Sequence, residues 1–207
     1  MVEQRENPRP PSAGKGLIAI VPLGKVEEDV LRVVADSLQG ILRLPVDIWD
    51  AMPIPEDAFM GARNQYNAMG IIRYLAENHS ASGLKVLGIM GKDICNPIIT
   101  YVFGEAYMGG RAAVMSSARL SANLSGEPAS RERFLDRVVK VALHEIGHTF
   151  NIPHCHTGRC VMRASNNLTE LDDKLNYLCD YCEIFLLDAL RHAMQDKEHE
   201  TADSRHS

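Results

Sequence analysis

The chain has 207 residues, 45% of them hydrophobic, which suits one globular domain with a sizeable core and excludes a disordered protein. Its 22 basic and 27 acidic residues give a net charge of -5 without a long block of either sign, so nucleic acid is not expected as a partner. The sequence has no run of 18 apolar residues and no apolar signal core, so we expect a cytoplasmic protein with no membrane span.

The first part of the chain predicts a β-α-β unit. Residues 1–15 are polar and Pro-rich, and we expect them to form a flexible tail. An apolar run at residues 16–21 predicts a buried strand, followed by a helix at residues 26–38 that ends at Gly40 and a second strand at residues 41–49. This order favours parallel pairing of the two strands.

The middle of the chain predicts one helix and three strands. Apolar periodicity indicates a helix at residues 59–77, and an apolar run indicates a strand at residues 84–90. Two further extended runs cover residues 98–107 and 111–120, separated by a Gly-Gly dipeptide that suits a tight reversal. These two runs should form a hairpin, so that at least one strand lies antiparallel to the rest.

The last third predicts two helices. Ser130 can cap a long helix that runs into the sequence His-Glu-x-x-His. Apolar residues recur on one face at residues 180–195 and predict a final helix, whereas residues 196–207 lack this periodicity and are expected to form a second flexible tail. We therefore expect a single domain at residues 16–195.

Two histidines on the long helix predict a metal site. His144 and His148 are four residues apart, so on a helix they rise by about 6 Å and face nearly the same way. Both imidazoles can therefore bind one ion. Glu145 is turned by about 100° from His144 and can act as general base toward a metal-bound water without binding the ion itself.

A third ligand requires the helix to break. His154 would point away from the other two histidines if the helix continued. Asn151 suits a left-handed helix end, and Pro153 cannot prolong the helix, so we expect a reversal after which His154 becomes the third ligand. The fourth position on the ion would remain for water.

Four of the five cysteines form two closely spaced pairs, which are Cys155, Cys160, Cys179 and Cys182. In a chain without an export signal, such clustering favours a metal over disulfides, and four thiolates complete a tetrahedral zinc site. This structural zinc would pin the segment after the active helix to the start of the final helix. Cys95 stands apart, and we assign it only a packing role.

These motifs resemble those of the archaemetzincins, a branch of the metzincin zinc peptidases. The family pattern His-Glu-x-x-His-x-x-Gly-x-x-His-Cys, with a second Cys, Cys-x-Met and Cys-x-x-Cys, is matched at His144, Glu145, His148, His154, Cys155, Cys160, Met162, Cys179 and Cys182. Weaker likenesses at residues 63–67 and 103–106 extend the resemblance over most of the chain. The family glycine is Asn151 here, and since Asn tolerates positive φ, we expect the same turn at a small strain cost.

The resemblance implies an α+β, metzincin-like fold, with a twisted mixed β-sheet, helices, an active-site helix and a small C-terminal zinc-bound lobe. The N-terminal subdomain would cover residues 16–151 and the C-terminal subdomain residues 152–195. Met162 would be the Met-turn residue, an apolar floor under the catalytic zinc rather than a ligand. Two zinc ions per chain are expected, one catalytic and one structural.

The sequence thus predicts a zinc-dependent metallopeptidase, taken as a monomer, that acts on peptides or proteins. The substrate would lie extended along one of the hairpin strands between residues 98 and 120, because an edge strand offers main-chain hydrogen bonds to any sequence. The alternative is a zinc-stabilised peptide- or protein-binding protein whose peptidase site is latent or vestigial. A purely structural scaffold with two zinc ions would leave Glu145 without a purpose.

Overall fold

The computed structural model describes residues 18–79, 85–122 and 126–203. The expected tail at residues 1–15 lies outside these ranges. In chain order the strands and helices are β1 (Ile18–Leu23), α1 (Glu28–Leu42), β2 (Val46–Ile48), β3 (Phe59–Met60), β4 (Gln65–Asn67), α2 (Ala68–Asn78), β5 (Lys85–Met90), β6 (Ile94–Cys95), β7 (Gly104–Ala106), β8 (Ala112–Ser116), α3 (Arg131–Thr149), α4 (Leu168–Asp173) and α5 (Asp180–Asp203). Among the described helices, none combines the length and apolar character that crossing a bilayer requires.

A mixed five-stranded sheet forms the centre of this α+β fold, in the order β2-β1-β5-β8-β7. The predicted parallel pairing of the first two strands is confirmed, with Ile18 opposite Val46. The predicted hairpin is also confirmed, because β7 runs antiparallel to β8 with Glu105 opposite Val114, but both strands are shorter than the predicted runs at residues 98–107 and 111–120. Within the described chain β7 has no strand on its other side, so it is one edge of the sheet.

Helix α1 continues beyond its predicted end, and the predicted strand at residues 41–49 is correspondingly wrong in its first half. Gly40 lies inside the helix, which ends at Leu42, and Arg43 adopts a left-handed conformation with φ of 55°. Leu42 is buried, so the hydrophobic contact of the last turn outweighs the low helix propensity of glycine.

The predicted helix at residues 59–77 is correct only in its second half, α2. Its first half forms β3 and β4, which belong to a three-stranded sheet in the order β3-β4-β6. Hydrogen bonds to distant backbone decide this, since Arg63 Nη2 donates to the carbonyl of Ile99 at 2.8 Å and Gln65 Nε2 to that of Thr100 at 3.0 Å. Asn67 then caps α2 by accepting from the Met69 amide at 3.0 Å.

From residue 137 onward, helix α3 is buried on all sides. Ser130 caps it as predicted, by accepting from the Arg133 amide at 3.3 Å. Every residue from 137 to 149 is buried, because the helix packs against the central sheet, α1 and α4. The chemistry-bearing residues of this helix therefore lie in the core rather than on a surface loop.

The last helix, α5, is longer than predicted. It continues to Asp203, eight residues beyond the expected end at Gln195, and so overlaps the expected tail at residues 196–207. Residues 196–203 lack apolar periodicity but include glutamate, lysine and alanine, which have high intrinsic helix propensity. Propensity thus prolongs a helix that the hydrophobic pattern alone does not predict.

Candidate metal centre and catalytic cleft

The reversal after α3 brings three histidines together. Asn151 adopts the predicted left-handed conformation, with φ of 62°, and its amide donates to the carbonyl of His148 at 2.9 Å. The chain turns back at this residue, so that His154 returns to the end of α3 that carries His144 and His148. The ring of His154 stacks on that of His144 with centroids 5.3 Å apart.

The donor atoms of these histidines fit one zinc ion. One ring nitrogen of each of His144, His148 and His154 lies within 4.8 Å of the others, and the two Nε2 atoms on α3 are 3.1 Å apart. Nitrogens bound at about 2.1 Å to a tetrahedral ion are separated by about 3.4 Å. The spacing on the helix is therefore close to that of a metal-bound pair.

Backbone carbonyls orient the two helix imidazoles. Nδ1 of His144 lies 2.9 Å from the carbonyl oxygen of Val161, and Nδ1 of His148 lies 2.8 Å from that of Ile152. A carbonyl can only accept, so Nδ1 carries the proton in each ring, and Nε2 is available to bind a metal. Both rings are thus fixed in the tautomer that a zinc site needs.

Met162 packs beneath the helix next to these rings. It is fully buried, and a Cβ added to Gly147 would lie 2.5 Å from the Met162 sulfur. Gly147 therefore gives the methionine room to approach the helix directly beside His148. This position suits the predicted apolar floor, although the role itself stays a prediction.

The environment of Glu145 raises its pKa. The side chain is almost fully buried, and burial, with the negative charge of Glu105 adding to it, raises the pKa to about 8 while the positive charge of Lys174 opposes the change. Burial also lowers the pKa of all three histidines, so they remain neutral and able to bind a metal.

A cavity of about 450 Å³ opens onto these groups. The edge strand β7 and the segment before it, at residues 99–106, contribute to its lining. Helix α3 contributes further lining residues, and residues 164–166, Leu171 and Lys174 contribute the rest of those after α3, apart from His154. Glu145 and the three histidines all line this cavity, so the predicted general base and the predicted ligands share one cleft.

Sequence reasoning missed three residues of this cleft. A Cβ on Gly104 would lie 2.5 Å from Glu145 Cγ, so the backbone of β7 approaches the carboxylate as closely as only glycine allows. Glu105 adds a second carboxylate to the lining. Gly104 and Glu105 both lie in the segment 103–106, whose weak resemblance to the archaemetzincins was the sequence signal that could have identified them.

Lys174 is the third missed residue, and it had no sequence signal. It follows two aspartates and has the pattern of a solvated turn, yet it is buried. Its Nζ donates to the carbonyls of Val161 at 3.1 Å and Arg163 at 2.6 Å. Burial lowers the pKa of Lys174 to about 8, while the negative charge of Glu145 opposes that change.

The four predicted cysteines form a second cluster with the dimensions of a zinc site. The sulfurs of Cys155 and Cys179 are 3.7 Å apart, and those of Cys160 and Cys182 are 3.8 Å apart. All four lie within 4.8 Å of one another. Sulfurs bound at about 2.3 Å to a tetrahedral zinc are separated by about 3.8 Å, which matches these distances.

Backbone amides donate to two of these sulfurs, although burial raises the pKa of Cys160 and Cys182. The Thr157 amide donates to the Cys155 sulfur at 3.3 Å and the Cys179 amide to the Cys160 sulfur at 3.4 Å. Burial works against ionisation of Cys155, but hydrogen bonds from Thr157 and the neighbouring thiols outweigh it and lower the pKa to about 7.

Cys95 is buried elsewhere, with its thiol 3.5 Å from the Met60 sulfur, in keeping with a packing role.

Comparison with known proteins relates the whole arrangement to one family. The sequence model of "Peptidase family M54" matches residues 29–187. An archaemetzincin of Haloquadratum walsbyi is 36% identical over 173 residues, which cover 82% of this chain and 99% of the relative.

Two solved structures extend this likeness to the fold. The archaemetzincin of Archaeoglobus fulgidus, crystallised as a malonate complex, is 35% identical with a TM-score of 0.70, covering 82% of this chain and 99% of that one. A zinc-dependent peptidase of Methanocorpusculum labreanum is 30% identical with a TM-score of 0.71, at 82% and 99% coverage.

Proposed function

The chain belongs to peptidase family M54, the archaemetzincins, and is a zinc metallopeptidase; from that premise we propose that Glu145 is its general base and that three histidines hold its catalytic zinc. The proposed ligands are His144, His148 and His154. The observation that carries this proposal is the convergence of their ring nitrogens, within 4.8 Å of one another, beside Glu145 in one cleft.

The proposed reaction is hydrolysis of a peptide bond. Zinc, when bound, supplies a Lewis acid that activates water and polarises the scissile carbonyl. Glu145 takes a proton from the attacking water and later delivers it to the nitrogen of the leaving amine, so that the carboxylate is restored at the end of the cycle. A carboxyl whose environment moves its pKa toward neutrality is suited to both transfers.

The proposed substrate is a peptide or protein segment bound in extended form along β7. This strand is the edge of the central sheet within the described chain, and it lines the cleft directly beside Glu145. Its free amides and carbonyls can pair with the main chain of a substrate of any sequence. Met162 would support the histidines from below without binding the ion.

The proposal includes a second, structural zinc. Cys155, Cys160, Cys179 and Cys182 would bind it, and their sulfur separations suit four zinc–thiolate bonds. We also propose that residues 16–151 and 152–195 act as two subdomains of one peptidase domain, because the walls of the cleft come from both.

Replacement of the general base tests the mechanism. Glu145→Gln should keep both zinc ions, because the residue is not a ligand, and should lower kcat for peptide cleavage by about 10²-fold to 10⁴-fold. The measurement is metal analysis by mass spectrometry together with cleavage of a peptide library, with and without a chelator. Glu132→Gln, at an exposed position in the first turn of the same helix, is the control and should match the wild type.

Two results would contradict the proposal. Cleavage by Glu145→Gln at the wild-type rate would remove Glu145 from the mechanism. A content of one zinc per wild-type chain would remove either the histidine or the cysteine site, and cobalt substitution would identify the remaining ligands by their absorption spectrum.

A further inference from the structure

Lys174 is a buried lysine that contributes to the lining of the cleft, and the proposed hydrolysis does not use it. The residue is only 1% exposed, although it contributes to the cavity lining. It is the single lysine or arginine among the lining residues of the described chain. No other lysine or arginine among these lining residues can therefore bind an anion in the cleft.

The protein itself leaves the ammonium group incompletely compensated. Two of its three hydrogens are used by the carbonyls of Val161 and Arg163, at 3.1 and 2.6 Å. Over the described ranges of the chain, no carboxylate lies within salt-bridge distance of its Nζ. A buried charge without an ionic partner is costly, so a site of this kind favours an anion from outside.

The other buried cations of the fold differ from Lys174 in this respect. Lys140 is 3% exposed, and its Nζ lies 2.6 Å from a carboxylate oxygen of Asp136. Arg137 is 1% exposed and forms a two-pronged pair with Asp172 at 2.6 and 2.8 Å. Both of these cations lie outside the lining of the catalytic cleft, whereas Lys174 lies within it.

The charge balance of the cleft also favours an anion. Glu105 and Glu145 are the carboxylates among its lining residues in the described chain. With a divalent ion on the neutral histidines, these two carboxylates offset the ion at most, so Lys174 leaves at least one net positive charge. A neutral peptide would leave that positive charge unpaired in the cleft.

We propose that Lys174 is a specificity-determining residue that binds a carboxylate of the substrate. The carboxylate could be an acidic side chain close to the scissile bond or the C-terminal carboxylate of a short peptide, two sources with the same chemistry. The inference rests on the proposed peptidase function, because it names the class of peptide that the cleft selects.

Matched peptides test this assignment on the zinc-loaded full-length chain. One pair carries Glu or Gln at positions adjacent to the scissile bond, and the other pair carries a free or an amidated C-terminus. The wild type should cleave the acidic member of one pair with a kcat/KM higher by about 10-fold to 100-fold, the range of a hydrogen bond to a charged group. The pair that shows this preference identifies the source of the carboxylate.

Substitution of the lysine should remove the preference. Lys174→Met should cleave both members of the pair equally, and Lys174→Gln, which keeps neutral donors for the two carbonyls, should behave in the same way. The ratio is taken within one variant, so a general disturbance of the turn at residues 161–163 affects both peptides and cancels. Lys140→Met removes a buried lysine outside the cleft and should retain the wild-type ratio.

A binding measurement separates failure of this inference from failure of the peptidase function. Calorimetry with succinate and its monoamide on the zinc-loaded protein should show tighter binding of succinate to the wild type and equal binding to Lys174→Met. If the wild type cleaves the acidic and neutral members of each peptide pair at equal rates, the assignment of Lys174 is wrong. It is also wrong if the preference for the acidic peptide survives in both Lys174 variants. Where no peptide is cleaved, the peptidase proposal fails, and the succinate comparison alone decides whether Lys174 binds anions.

Discussion

Gly104 determines how closely the edge strand approaches the proposed general base. A Cβ at this position would lie 2.5 Å from Glu145 Cγ and 2.7 Å from its Oε1, which is closer than non-bonded atoms tolerate. The carboxylate position therefore depends on a residue of a different element. A small displacement of a catalytic group is enough to reduce the rate strongly.

We expect Gly104→Ala to lower kcat/KM by about 10²-fold, because the added methyl group displaces the Glu145 side chain. Zinc content should not change, since the histidines keep their places. Cleavage assays and metal analysis measure the two effects. Gly40→Ala is the control, because nothing lies within 4 Å of its new Cβ, and activity of Gly104→Ala equal to that of this control would contradict the expectation.

Residue type alone predicted part of the site and could not predict the rest. Asn151 was expected to adopt a left-handed conformation because tolerance of positive φ is a local property of asparagine, and its φ of 62° agrees. Gly104 and Lys174 acquire their roles from neighbours that are distant in sequence, Glu145 and the carbonyl of Val161. No local pattern carries that information.

At the scale of elements, an ion pair between a buried arginine and a partly buried aspartate joins α3 to α4. Arg137 donates to both carboxylate oxygens of Asp172 and to the carbonyls of Leu120 and Ala122. Its hydrogen bonds hold the pKa of Asp172 below the ordinary value of 3.8, although partial burial opposes this. The pair fastens the active helix to the segment that leads to Lys174.

We expect Asp172→Asn to lower the free energy of unfolding by about 1–3 kcal/mol at neutral pH, because it leaves the Arg137 charge buried without a carboxylate. Since the folded pKa is depressed, the stabilisation is complete above pH 3.8 and is lost as the pH falls through the folded value. The difference in unfolding free energy between the wild type and Asp172→Asn should therefore become smaller in strongly acidic solution. Denaturant unfolding at several pH values measures this difference.

A neighbouring aspartate provides the control for this pair. Asp173 is half exposed and contacts the exposed Arg159 and the partly exposed Arg163, so Asp173→Asn should change the unfolding free energy by less than about 1 kcal/mol. An Asp172→Asn variant no less stable than this control would contradict a role for the pair in joining the two helices.

The predictions of secondary structure succeeded where a local sequence pattern determines the element. They failed where contacts with residues distant in sequence determine it. The hairpin of β7 and β8 and the capped helix α3 follow from a Gly-Gly turn and from Ser130. Residues 59–67 have helical periodicity, yet they form strands because their side chains and backbone find hydrogen-bond partners at residues 93–100. Single-sequence periodicity contains no record of such partners.

At the scale of the whole molecule, the two proposed zinc sites are mechanically connected. Cys155 directly follows His154, and its amide donates to the carbonyl of Met162 at 3.0 Å. Val161, next to that methionine, accepts from the ring of His144. The segment between the two sites therefore contributes to both, and loss of one metal should affect the other.

We expect Cys179→Ser to weaken the catalytic zinc by about 10-fold to 100-fold, the usual effect of losing groups that orient ligands. Titration against a competing chelator measures this affinity, and circular dichroism checks that the helices remain. Cys95→Ala removes a buried thiol outside the cluster and should leave the affinity unchanged. Equal catalytic-zinc affinity in Cys179→Ser and the wild type would count against the connection.

The burial of α3 from residue 137 to residue 149 has a consequence for the lifetime of the peptidase centre. Amide protons in such an element exchange with solvent only when the whole domain unfolds, whereas edge strands open locally. In native-state hydrogen exchange, the amides of residues 144–148 should belong to the slowest class, with an opening free energy equal to that of global unfolding. The proposed ligands His144 and His148 would then keep their places as long as the fold itself, while the edge strand β7 stays free to adapt to different substrates.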